Sequence, residues 1–125
     1  MAQMKATTFA EIEEMTSRTG SCTLGNNTTA ERNADGTITV RLHGHAIVTL
    51  RSDGSVTVTT AGWDTVTTRD RLNTFLPNIG APLGPHRVRG ALRFMSPQGD
   101  LPWNGDPLTV DADGNVIEAF GLVVI

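Results

Sequence analysis

NADGTITVRLHGHAIVTLRSDGSVTV, residues 33–58, decides the fold class, because two aspartate-glycine steps bracket a run in which apolar and polar side chains alternate. A period of two belongs to a strand with one buried face. Val40, Leu42, Ala46, Val48 and Leu50 fall on one side, and Thr39, Arg41, His43, His45 and Thr49 on the other, with Ile47 the apolar exception. The run reads as a single half-buried strand bent at Gly44, which turns back through RSDG into SVTVTT. Residues 37–60 then form an antiparallel hairpin, with NADG the turn into it.

A third such step, DADGN at 111–115, raises the question of metal loops. A calcium loop of the EF-hand type needs glycine at its sixth position and a bidentate glutamate at its twelfth, and here glycine comes fourth. The acids therefore belong to turns. Working outward, TTFAEIEEMTSRTG predicts a helix over about 8–18. Thr8 and Glu11 have capping-box spacing, Phe9, Ile12 and Met15 form the apolar stripe, and Gly20 stops the chain. Glu11, Glu13 and Glu14 in the early turns suit the helix dipole.

After the hairpin, TTRDRLNTFLP predicts a second helix over about 68–76. Thr67 or Thr68 is its cap, Asp70 sits in its first turn, Trp63 packs beneath it, and Pro77 ends the stripe of Leu72, Phe75 and Leu76. NIGAPLGPH reads as a loop, and RVRGALRFM as one strand carrying three arginines. PWNGDPLTV and NVIEAFGLVVI complete a β-rich part over about 87–125, with LVVI in a buried strand. The expectation is an α+β fold, a single small domain over 1–125 with an antiparallel β-sheet and two short helices.

The 125 residues suffice for one core, and 13 glycines suit a turn-rich β protein. Cys22 stands alone, so no intrachain disulfide forms; the first 30 residues hold no basic segment followed by an apolar run. No run approaches the roughly 18 apolar residues of a membrane span. These features predict a cytoplasmic protein with no membrane partner. The net charge of -3 argues against broad affinity for DNA. Its distribution is uneven: residues 69–93 carry Arg69, Arg71, Arg87, Arg89 and Arg93 against Asp70, and residues 94–125 carry only acids. The two regions either neutralise each other within the fold or do so across a homo-oligomer.

His43-Gly44-His45 places two imidazoles on one strand face, too few for a metal site without a third ligand. No nucleophile elbow, phosphate-cradling glycine loop or zinc signature is present, so no catalytic residue, metal or cofactor is expected. The most suggestive stretch is GWDTVTTRDRLN at 62–73. There the hydroxyls and N–H groups of a helix start adjoin Arg69 and Arg71, as an anion or phosphate site requires. Threonine capping and an Asp70 ion pair account for the same residues. The predicted anion site is Thr67, Thr68, Arg69 and Arg71, with Arg87, Arg89 and Arg93 as supporting cations.

Positions 25–77 carry a resemblance. Asn27-Thr28, Leu42-His43, Asp53-Gly54, Gly62-Trp63, Thr67-Thr68, Asp70-Arg71 and Asn73 resemble the pattern of a group of small proteins encoded by bacteriophages and actinobacterial prophages. Gly44 and His45 depart from that pattern, and residues beyond Pro77 are not covered by it. The resemblance implies a phage context and carries no activity with it. Three function classes follow. The leading one is a noncatalytic accessory protein that holds a host protein, a nucleic acid or a phosphorylated small molecule in host takeover or counter-defence. The second is a structural or assembly protein. The third, a small hydrolase, requires His43, Asp64 and Arg71 to cluster in space.

Overall fold

A computed structural model describes residues 4–119, and the LVVI segment at 122–125 lies outside the described residues. The fold is α+β, with two helices and ten antiparallel strands among the described residues. The helices are α1, Phe9–Met15, and α2, Val66–Phe75. Seven strands make one sheet in the order β1 (Ser21–Gly25), β2 (Thr28–Arg32), β3 (Ile38–Leu42), β4 (His45–Leu50), β5 (Val56–Val58), β9 (Leu108–Val110) and β10 (Val116–Ala119). Between β5 and β9 the chain leaves this sheet to form α2 and a three-stranded meander of β6 (Gly84–Val88), β7 (Ala91–Ser96) and β8 (Gly99–Pro102).

The alternation read from residues 38–58 is the register of the core. Ile38 pairs with Leu50, Leu50 with Val56 and Val56 with Val110; alongside runs Val40, Val48, Val58 and Leu108. These eight side chains are all at most 5% exposed and form two adjacent apolar rungs across four strands. One residue further along, Thr39, Thr49, Thr57 and Thr109 align on the opposite face. Ile12 of α1 and Leu72 and Phe75 of α2 cover the apolar face, and Phe94 and Trp103 extend the same core into the meander.

All three aspartate-glycine stretches are turns of one design. In each, the first residue's N–H reaches the fifth residue's carbonyl, and the glycine N–H returns to the first residue's carbonyl, with the glycine at φ of 84–89°. Only glycine takes that left-handed position without strain, and this explains the fixed DG spacing. The aspartates serve the turns. Asp35 accepts from the Thr37 N–H and hydroxyl, and Asp53 from those of Ser55. In the third turn Asp111 accepts from the N–H groups of Asp113 and Asn115.

Hydrogen bonds, first of all from the side chains of Thr37 and Ser55, hold the Asp35 and Asp53 carboxyls below their ordinary range. A depressed folded-state value means that the stabilisation is complete above the unfolded value and is lost as pH falls through the folded one. Thermal midpoints measured from about pH 6 to pH 2 should therefore be flat above about pH 5 and fall below about pH 4. Asp53→Asn should flatten part of that fall. A midpoint unchanged into strong acid would contradict these bonds.

Several expectations are corrected. Residues 38–50 are two strands and not one bent strand: His43 and Gly44, at φ of 52° and 82°, form the two-residue loop of a tight hairpin between β3 and β4. Such loops need two positive φ angles, and histidine at the first is an uncommon choice that alternation does not reveal. Arg89 and Gly90, at 52° and 80°, do the same between β6 and β7, so 87–95 is not one strand either. The hairpin of β1 and β2, absent from the expectation, borders the large sheet. A bulge in β4 turns Ile47 and Val48 both inward and leaves Ala46 exposed, which resolves the apolar exception.

In α1 the Thr8–Glu11 capping box forms as expected. The helix ends at Met15, however, and Met15 is partly exposed while Thr16 is buried with its hydroxyl bonded to the Ile12 carbonyl. The cap of α2 is Thr65, earlier than expected. Its hydroxyl accepts from the Thr68 N–H at 3.1 Å, and Asp70 lies beyond the first turn.

Candidate functional site

The short β3–β4 loop and the start of α2 face one another across a cleft of about 380 Å³. Its apolar wall is Leu42 and Ile47, both nearly fully buried. His45 and Ile47, two apart on β4, share a face, and both line the cleft with His43 beside them. From the other side come Thr65, Thr67 and Thr68 of the α2 start, with Trp63 before them. Sequence reading found Thr67 and Thr68; it missed the two histidines as cleft residues because the loop that turns them toward α2 was read as strand.

Trp63 does not pack beneath α2. Its side chain is 55% exposed, and its ring lies 5.2 Å from the His45 ring at a tilt of 37°. The backbone that presents it is a turn with Ala61 at φ 52° and Gly62 at 84°, closed by a Trp63 N–H bond to the Thr60 carbonyl of 2.8 Å. An alanine in the left-handed region costs roughly 1–2 kcal/mol, so the turn holds only because its surroundings fix it. They do so through the loop before β9: the Thr60 N–H and the Thr59 hydroxyl both donate to the Gly105 carbonyl.

The predicted cations divide by partner. Arg69 pairs with Asp64 at 2.5 Å, and Arg87 meets the other oxygen of the same carboxylate. Two guanidiniums thus share one acid next to Trp63 and Thr65. Arg71 is only 5% exposed: its Nε donates to the Thr28 hydroxyl at 3.0 Å, and its Nη1 to Asp70 at 3.2 Å. Arg93 engages Asp100 at 2.8 Å, and His86 meets the same carboxylate at 2.7 Å. The His86 bond is the main reason that the Asp100 carboxyl sits below its usual range. Arg89 stands exposed in its turn. The acids at 64 and 100 thus neutralise part of the arginine-rich segment within the fold.

The members of the proposed hydrolytic cluster have separate commitments, His43 in the cleft wall, Asp64 to two arginines and Arg71 to Thr28. Among the described residues no three histidine, cysteine or carboxylate side chains gather as a metal site. No helix among them is long and apolar enough to cross a membrane. Comparison with curated proteins and with solved structures gives no match. A family model does match, over residues 1–88, which takes in α1, the first six strands, α2 and the whole cleft. On that match the chain belongs to a bacteriophage family, the Kyanoviridae Gp96 proteins.

Proposed function

We propose that this phage protein is a noncatalytic accessory binding protein that acts in the host cytoplasm by holding an anionic partner at the start of α2. The cleft carries the reading. Small-molecule sites are concave, mostly apolar and edged by a few polar groups, with volumes of about 300–1,000 Å³, and this one has an apolar wall edged by threonines and imidazoles. The Thr67 hydroxyl has no hydrogen-bond partner among the described residues, and the first N–H groups of a helix favour negative charge. Two guanidiniums on the single Asp64 carboxylate leave an excess of positive charge beside it. In this reading Thr67, Thr68 and Arg69 contact the anion and Arg87 and Arg89 add field, while Arg71 and Arg93 act by holding α2 and β7 in place.

Native mass spectrometry of protein purified without denaturation, before and after addition of inorganic pyrophosphate, tests this. A retained anionic ligand or a one-to-one pyrophosphate complex is expected, and Arg69→Glu should weaken it at least tenfold, or about 1.4 kcal/mol, with the fold intact. Affinity unchanged in Arg69→Glu would remove the site. A ligand-free homo-oligomer would instead favour the assembly reading.

A further inference from the structure

We infer that the cleft is built for a mononucleotide, whose base stacks on Trp63 while its phosphate takes the anion position; the second half rests on the reading above. The chain has two tryptophans, and the structure uses them oppositely. Trp103 is 5% exposed, its indole N–H donates to the Asp106 carbonyl at 2.9 Å, and it packs edge-on against Phe94. Trp63 is 55% exposed, and its indole N–H has no partner among the described residues. An indole held at the surface by a strained, pinned turn contributes little to the core. It is placed as a flat platform, and every base offers such a platform a π face.

The groups around the ring fit the edge of a base. His43, His45 and Thr67 line the cleft, and none of their side chains has a hydrogen-bond partner among the described residues. Imidazole and hydroxyl groups both donate and accept, as heterocycle nitrogens and carbonyls require. A purely hydrocarbon ring would leave these groups dry and unpaired, at a cost. The volume lies near the lower end of small-molecule sites, which suits one nucleotide rather than a dinucleotide or a strand. Only the combination of ring, polar edge and adjacent positive charge uses all three features, and a nucleoside phosphate supplies it.

Isothermal titration calorimetry on the full chain tests this with AMP, GMP, CMP and UMP, the matching nucleosides, ribose 5-phosphate and inorganic phosphate. At least one mononucleotide should bind more tightly than both its nucleoside and ribose 5-phosphate. Trp63→Ala should weaken that binding tenfold or more, and Trp63→Phe should restore most of it, with thermal midpoints alike in all three proteins. If ribose 5-phosphate binds as tightly as every mononucleotide, or if Trp63→Ala leaves affinity unchanged, base stacking is overturned while the anion site stands. If nucleosides match their nucleotides, the stacked base survives and the phosphate half, with the anion reading, falls. If nothing binds, both fall.

Discussion

Phe94→Ala is expected to lower folding stability by about 3–5 kcal/mol, and to lower the thermal midpoint by on the order of 10 °C or more. Phe94 is fully buried on β7, and its ring meets that of Trp103 at 5.5 Å and 77°. It belongs to the core that also holds Leu108 and Val110, so truncation would open a cavity where the small sheet joins the large one. Phe94→Leu refills most of that volume and should cost well under half as much. Chemical denaturation with both variants checks this. Equal and small losses would mean that the meander packs loosely on the rest.

Arg71→Glu is the second large effect, with an expected loss of about 3–5 kcal/mol. The side chain lies inside the fold, where its Nε satisfies the fully buried Thr28 and its Nη1 meets Asp70. A carboxylate there would be desolvated, would lose the bond to Thr28 and would stand beside a like charge. Arg71→Met keeps the apolar stem without the buried charge and should cost only about 1–2 kcal/mol. That variant should fold, so its ligand affinity is informative. Affinity close to the parent's, against a large loss in Arg69→Glu, would assign Arg71 to joining α2 to β2 and Arg69 to the anion. A loss equal to that of Arg69→Glu would return Arg71 to the binding surface.

Much of the fold was legible because the deciding interactions are short. The capping box needs only Thr8 and Glu11, and each DG turn only five residues. Alternation in 38–42 and 56–58 reports a half-buried sheet directly. What escaped had weak local signals. His43-Gly44 and Arg89-Gly90 close hairpins with a non-glycine residue at positive φ, where asparagine or aspartate is the usual sign. Thr65, Thr67 and Thr68 are equivalent as caps by type, and the choice among them depends on where the pinned turn at Ala61-Gly62 releases the chain.

The site was legible in part for the same reason. Thr67 and Thr68 lie in one local motif, and sequence reading brought them together. The arginines could be counted but not paired, since Arg87 finds Asp64 from 23 residues away and Arg71 finds Thr28 from 43. The sequence by itself determined the turns, the capped first helix, the strand alternation and the unequal distribution of charge, because backbone sterics and hydrogen bonds within a few residues suffice for each. Only the tertiary structure decided that a β4 bulge brings His45 and Ile47 to the cleft, that Trp63 stays outside the core, and that Asp64 and Asp100 draw in four basic side chains. Those outcomes depend on sheet register and on which surfaces the whole chain must bury together, and no short segment specifies either.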